Sequence, residues 1–382
     1  MAISRRNVLI SAGGAGLALV GAGAAFATTR TPHRALAPWR ISPAEDVRLD
    51  AFRRAILAPN PHNRQPWLIT MVGRNEALIH CDLDRRLPVT DPFDRQITIG
   101  FGCFLELARI AAAERGVDLA IREFPEGMPD ASARLDRRPI AHLTFAGAAR
   151  PDPLFKAIAV RRSVKQPFDT GLPVAQSAIA AFAANRSARA RVDGTQDMAL
   201  VRDLRALTWT AWMVEANTHA AYKESVDLMR IGKAEIEANP DGIALGGPML
   251  EAMALTGMLS REQMLDPKSA SFRAGVDKYR PIIGSAMGYG WIITKGNTRS
   301  DQLEAGRIHV RTNLQTTLEG LSMHPVSQAL QEFAEMANVR AEVRQRLSLT
   351  EGETLQMLVR LGYAAPVAPA ARWTLESRIR TA

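Results

Sequence analysis

The sequence predicts an α+β protein built from two halves that repeat one order of elements. Three observations carry this. Stretches with apolar residues at helical spacing alternate with short apolar and β-branched runs bounded by turn residues. The order helix, strand, long apolar helix, strand, read over 42–145, returns over 174–321. With 382 residues, 47% of them hydrophobic, the chain is long enough for more than one core. We place a leader at 1–27, a first half at 28–150 and a second half at 151–382, with a helical insertion over about 222–280.

The leader opens with Ser4-Arg5-Arg6-Asn7-Val8-Leu9 and continues to Ala27 almost wholly in Ala, Gly, Val, Leu and Ile, ending on the small residues of Ala25-Phe26-Ala27. This is the pattern of a twin-arginine export signal. Its glycines make it a weak spanning segment, so cleavage and a periplasmic product are expected, with an uncleaved membrane anchor as the alternative. Gly13 to Gly23 lack the preceding strand and following helix of a dinucleotide fingerprint. The chain carries 48 Lys and Arg against 39 Asp and Glu; without Arg5 and Arg6 the balance is 46 to 39, a net +7. The excess is scattered, with no basic stripe interleaved with aromatics, so no nucleic-acid partner is expected.

In the first half, Ser42-Pro43-Ala44-Glu45 reads as an N-cap, a first-turn proline and a capping box. The helix should run to about Leu57, with Val47, Leu49, Phe52, Ile56 and Leu57 inside and Arg48, Arg53 and Arg54 outside. Pro59 and Pro61 stop it. Trp67 to Val72 and Ala77 to Asp82 form a hairpin around Gly73-Arg74-Asn75-Glu76. Ile97 to Glu114, rich in Ala and Leu, is a buried helix, and strands follow at Leu119 to Glu123 and Ile140 to Phe145. In the second half we expect short helix Leu154 to Val160, helix Val174 to Ala184, strand Ala190 to Val192, one long helix from Gln196 to about Ala221, strand Ile283 to Thr294 and buried helix Ser300 to Leu321. Met213, Met229, Met249, Met253 and Met258 read as packing within the insertion. Cys81 and Cys103 read as two buried thiols, with a disulfide left open for an exported chain.

Two segments carry the chemistry, and each occurs once. Arg161-Arg162-Ser163-Val164-Lys165 gathers three cations and a hydroxyl ahead of an expected helix start, a donor set suited to phosphate. Pro59-Asn60-Pro61-His62-Asn63-Arg64-Gln65-Pro66-Trp67 is a rigid loop whose amides suit the polar edge of a flat ring. His324, ahead of Pro325, reads as a helix cap or as a group approaching that ring. No metal-ligand spacing and no nucleophile triad pattern accompany them.

Pro59 to Trp67 resembles the Pro-Ser-x-x-Asn-x-Gln-Pro-Trp segment of the nitroreductase family of flavin mononucleotide (FMN) enzymes. Arg161 to Lys165 with Pro167-Phe168 resembles that family's Arg-x-Ser-x-Arg/Lys-x-x-Phe. Leu318 to Gln328 is similar to the family's Gly-hydrophobic-x-x-x-Pro stretch, and Ala371 to Glu376 to its C-terminal Arg-x-Pro-Leu-Glu run. The family builds its site at a homodimer interface, one segment from each subunit; here a single chain carries both, as in the fused, twin-domain Acg type. The resemblance implies two nitroreductase-like α/β/α halves in a single-chain pseudo-dimer. It implies FMN held by Arg161, Arg162, Ser163, Lys165 and Arg372, by Pro59, Asn60, Pro61 and Asn63, and by the backbone of Ser327 and Gln328. Asn60 in place of serine and Ser327-Gln328 in place of Glu-Gly depart from the pattern on the substrate side.

The function implied is two-electron reduction of a small electrophilic or aromatic acceptor, with no side-chain nucleophile or base required. The partners expected are that acceptor and an electron donor, in a monomeric protein that touches the membrane only through its export signal. The rival expectation is a flavin-sequestering protein sealed by the insertion.

Overall fold

The computed structural model describes residue 26 and residues 28–380. The expected export signal, Phe26 apart, therefore lies outside the described residues. Two antiparallel sheets repeat one strand order. Helix α1 (His33–Leu36) precedes α2 (Val47–Ala55), and the first sheet follows with β1 (Trp67–Val72), β2 (Glu76–Cys81), then helix α3 (Arg95–Glu114), β3 (Val117–Glu123) and β4 (Ala141–Ala148). Its strands run β1-β2-β4-β3, each pair antiparallel. The second unit has α4 (Gln176–Ala183), β5 (Ala190–Thr195), β8 (Gly288–Thr294), helix α12 (Arg299–Leu318), β9 (Ser322–Pro325) and β10 (Thr354–Gly362). Its order is β5-β8-β10-β9, again antiparallel throughout. The strands correspond position for position. A last strand, β11 (Ile379–Arg380), leaves the second unit and adds parallel to β1 of the first.

Helices α3 and α12, each of 20 residues, cross at the centre. The crossing is reciprocal: a Cβ on Gly102 would lie 2.0 Å from the Leu303 carbonyl oxygen, and one on Gly306 would lie 2.0 Å from that of Ile99. Leu303, Val310 and Leu314 of α12 enter the core of the first sheet beside Phe101, Phe104 and Trp67. Ile99 of α3 enters that of the second beside Ile308 and Val359. Each helix also begins with a buried arginine that reaches across. Arg95 donates to the Leu330 carbonyl at 2.7 Å and to Gln356, and Arg299 donates to the Asp130 and Ala133 carbonyls.

The expected start of α2 is corrected. The N-cap is Asp46, whose carboxylate accepts from the Arg48 amide at 2.8 Å, while the Ser42 segment is irregular. Arg48, expected outside, is buried: it pairs with Asp46 at 2.7 Å and donates to the Gly73 and Glu76 carbonyls, tying the helix start to the hairpin. The single helix expected from Gln196 to Ala221 is two, α5 (Met198–Asn217) and α6 (His219–Asp227), broken where Thr218 turns extended. Residues 283–287, expected in a strand, close helix α11 (Tyr279–Gly284) and the turn after it. The helix expected at Leu154 is a 3₁₀ segment, Pro153–Ala157.

Between α6 and α11 lie β6 (Met229–Ile231), α7 (Gly232–Ala238), β7 (Ile243–Leu245), α8 (Pro248–Leu255), α9 (Arg261–Leu265) and α10 (Ala270–Asp277). This region has its own core of Trp212, Tyr222, Val226, Phe272 and Ile283. Met213 and Met229 pack against it, but Met249 and Met258, expected to do the same, are exposed. Cys81 and Cys103 are both free and buried, and burial raises both thiol pKa values.

An ion pair at the edge of the second sheet gives a pH test. Arg191 of β5 holds Glu353 at 2.9 Å, and this bond, aided by the Thr350 amide against the cost of burial, pushes the carboxyl from 4.5 down to about 2. A depressed acid stabilises above its unfolded pKa and loses that contribution as pH falls through the folded one. Because Arg191 is 41% exposed, Glu353→Gln should lower stability at neutral pH by no more than about 1 kcal/mol. Urea titrations should show the gap to wild type closing between pH 4.5 and 2.

Candidate functional site

Past the end of α2 the chain enters the loop Pro59 to Trp67 with three non-glycine residues in left-handed backbone, His62 (φ 47°), Asn63 (φ 54°) and Gln65 (φ 50°). Such conformations persist only where surroundings impose them. Here the loop's own amides do so. Asn60 donates to the Ala58 carbonyl at 3.0 Å and accepts from the Gln65 amide at 2.8 Å. Gln65, fully buried, donates to the Asn63 and Pro240 carbonyls and accepts from the Trp373 amide. Asn63 donates to the Ala371 carbonyl at 2.9 Å and accepts from Arg372. Asn60 and Asn63, expected to face a ring, thus spend one donor and one acceptor each on shaping the loop. Pro59, Asn60, Pro61 and Asn63 all remain half-buried.

Three arginines converge behind this loop. Arg161 donates to the Leu57 carbonyl and to Asn313, both at 2.9 Å; Arg372 donates to the Leu57 and Ala58 carbonyls at 3.2 and 3.3 Å. Arg162 lies over the Trp39 ring at 4.4 Å, and Arg372 approaches the same ring at 5.3 Å. Among the described residues none of the three has a carboxylate partner, and the Nε of each is buried without an acceptor. Burial, with mutual repulsion, holds Arg161 down to about 10 and Arg372 to about 9. Buried cations are ordinarily paired, and carbonyls just beyond a helix C-terminus compensate only partly. The cluster is a donor set for an anion. The helix start expected beside it is absent: residues 161–165 are irregular and the next helix, α4, begins at Gln176. Ser163 is half-buried within this stretch.

Arg360, fully buried on β10, sets the direction of Lys165. Its guanidinium donates to the Val164 and Gln166 carbonyls at 3.0 and 2.7 Å, the two carbonyls flanking the lysine. Its Nε donates to His324 Nδ1 at 2.8 Å, which fixes that imidazole as neutral; burial, Arg360 and Lys165 all lower its pKa. His324 is thus a strand residue and caps no helix. Lys165 itself is exposed; the surrounding protein lowers its pKa, with Glu215 opposing the shift.

Glu215, which the sequence reading missed, is buried on α5 and acts electrostatically on Lys165. It accepts from Ser225 at 3.0 Å and Gln331 at 2.9 Å, with a further bond from Gln328, yet burial still raises its pKa. Because the Ser225 hydroxyl donates to Glu215, it accepts from His62 Nε2, 3.0 Å away. Burial, then Lys165 and Arg64, push His62 down to about 3. The signal was legible: Glu215 continues the buried stripe Leu204, Thr208, Ala211 of its helix. Ser327 and Gln328 form the 3₁₀ turn after β9, half-buried, and Gln328 joins the site through Glu215. The insertion is fastened to the loop side by Asp241, which takes Arg230 at 2.8 Å, Arg64 at 3.4 Å and Arg85. Burial disfavours its charge, but the Arg230 bond and the three cations outweigh that and lower its pKa.

The sequence segments expected to share a site therefore meet at the seam between the two units. No family model matches the chain. An uncharacterized protein of Mycobacterium tuberculosis is 26% identical over 334 residues, 84% of this chain and 87% of the relative. A second M. tuberculosis protein, which carries the provisional name NAD(P)H nitroreductase acg, is 34% identical over 124 residues, 32% of this chain and 36% of its own length. Among solved structures, the FMN-dependent nitroreductase NfnB from Mycobacterium smegmatis in complex with NADPH aligns with a TM-score of 0.36 at 16% identity, covering 59% of this chain and 96% of that one. A nitroreductase with bound FMN from Bacteroides fragilis aligns with a TM-score of 0.34 at 13% identity, covering 59% and 95%.

Proposed function

We propose that this chain is an exported FMN-dependent oxidoreductase of the nitroreductase type, two fused halves holding one flavin at their seam and acting on a small electrophilic or aromatic acceptor. The observation that carries the reading is the cluster of Arg161, Arg162 and Arg372, three cations without a carboxylate among the described residues, each with an orphaned buried Nε. A phosphate monoester supplies the acceptors those atoms lack. The repeated strand order and the reciprocal helix crossing support a fused pseudo-dimer.

In this reading Arg161, Arg162, Ser163 and Arg372 hold the phosphate. Lys165 meets the polar edge of the ring, with Asn60, Asn63 and the remaining surface of Pro59 and Pro61 along its border. The turn at Ser327 and Gln328 offers backbone N–H groups on the far side. FMN, when bound, supplies the two-electron chemistry. Lys165 contributes positive charge where negative charge develops, and Arg360 fixes its backbone. The chain His62, Ser225, Glu215 holds exchangeable protons next to the loop. Nicotinamide cofactors are scarce outside the cytoplasm, so an exported enzyme calls for another donor class, such as a quinol.

The test is the cofactor and its reduction. Purified protein should carry, or take up, one FMN per chain, and that flavin should bleach under anaerobic mixing with NAD(P)H or a quinol-coupled donor. Protein that neither contains nor takes up FMN overturns the reading. A bound flavin that stays oxidised with both donors assigns the chain to flavin sequestration, with the insertion fastened over the loop through Asp241 and Pro240.

A further inference from the structure

Helix α8 (Pro248–Leu255) is unlike every other helix of the insertion, because none of its residues is buried. Its outward residues are Pro248, Met249, Ala252 and Leu255, followed by Thr256, Gly257 and Met258. Met249, Leu255 and Met258 are 71%, 73% and 57% exposed. A helix in contact with water carries charge on this stripe; here the stripe is apolar at spacings of three and four. The only ionisable group between Pro248 and Ser260, Glu251, is turned away and neutralised, pairing with Arg30 at 2.9 Å and accepting from the Lys233 amide at 3.1 Å.

The partner of this face is indicated by where the chain enters the fold. Arg30, which pairs with Glu251, and Thr29, whose carbonyl accepts from Lys233 Nζ at 3.0 Å, follow directly on the apolar run of Val8 to Ala27 in the sequence. Thr29 and Arg30 are therefore pinned to the side of α8. In the sequence an apolar run immediately precedes the residues that are fastened beside this charge-free apolar helix face. We propose that this face of α8 lies in the headgroup and acyl boundary of a membrane, beside the point where the N-terminal run enters it. The run is then retained, and the insertion is held at the bilayer. Ile236 of α7 shares a small core with Ala35 and with Ala371, the neighbour of Arg372.

The experiment uses the full chain with its N-terminus, bearing Leu255→Cys labelled with a polarity-sensitive fluorophore. Cys81 and Cys103 are buried and stay unlabelled. The probe is a vesicle of phosphatidylethanolamine and phosphatidylglycerol with a fraction of doxyl-labelled lipid. The expected result is a blue shift and quenching at Leu255→Cys on adding vesicles, with neither at Asn338→Cys on the exposed face of the helix Ala337–Arg346. The triple change Met249→Asn, Leu255→Asn, Met258→Asn should weaken vesicle partition at least about tenfold while circular dichroism is unchanged. Leu255→Cys that stays unquenched while the chain sediments with vesicles overturns the proposal. So does emission already blue-shifted without vesicles, which would place the chain's own N-terminal run over α8. Partition unaffected by the triple change overturns it as well. None of these readouts depends on flavin.

Discussion

Arg372→Ala is expected to weaken FMN binding by about a hundredfold or more, and Arg161→Ala by a similar factor, while neither change lowers the melting temperature of the flavin-free protein in proportion. A hydrogen bond to a charged group is worth about 1.5–3 kcal/mol, and a guanidinium offers two in fork geometry. In the flavin-free chain the same groups are a liability. Arg372 sits at 4% exposure with Arg161 and Arg162 repelling it, and its bonds go only to the carbonyls of Leu57, Ala58 and Ala371 and to Asn63. Removing one charge relieves that repulsion and offsets the lost bonds. Inorganic phosphate should raise the melting temperature of the wild type and fail to raise that of Arg372→Ala. Arg372→Lys keeps charge without the fork and should fall between. The sign with pH follows: cations bind the anion, burial and mutual repulsion lower the pKa of both arginines, and affinity should therefore hold near neutrality with any loss confined to the alkaline side. Equal FMN affinity of wild type and Arg372→Ala, measured by flavin fluorescence quenching, would sink the assignment of the cluster to phosphate.

What was legible in the sequence was local. The loop from Pro59 and the cluster from Arg161 announce themselves because prolines and crowded cations are visible without partners. The α+β class and the order of elements follow from period alone, since strand and long-helix patterns differ over windows of a dozen residues. Boundaries failed where two local choices were equal. Ser42 and Asp46 both have N-cap chemistry, and Asp46 wins because its carboxylate also holds Arg48 against the hairpin. The break at Thr218 was hidden because the buried stripe continues through Trp212, Glu215 and Ala216 to the last turn of α5. Roles that depend on distant partners were invisible, even where burial itself was legible, as for Glu215 on its helical stripe. Arg360 meets Val164 and Gln166 from nearly two hundred residues away, and Glu215 becomes part of a site only when Ser225, His62 and Gln331 arrive from three different elements.

Gly102→Ala is expected to destabilise the chain by about 3 kcal/mol or more, against the ordinary sign for a helical glycine. In an exposed helix interior, alanine is favoured over glycine by about 1 kcal/mol. At Gly102 and Gly306 the added carbon would meet a backbone carbonyl at 2.0 Å, and a helix backbone cannot turn aside as a side chain can. The helices must separate, and the cores they share separate with them, because Leu303 and Val310 belong to the first and Ile99 to the second. The reciprocity of the crossing makes two further demands. Gly306→Ala should cost about as much as Gly102→Ala, and the double variant should cost less than their sum, since the first methyl already opens the gap that the second needs. Gly284→Ala, a helical glycine with open space around it, is the control and should be neutral or slightly stabilising. Chemical denaturation of the four variants decides this, and full additivity at the crossing would mean that the two contacts yield independently. Asn313, which holds Arg161, lies on α12, and Asn60 packs on Gly100 of α3. A shift between these helices therefore moves the arginine cluster against the loop, so Gly102→Ala should also loosen the flavin, although it touches none of the groups that bind it.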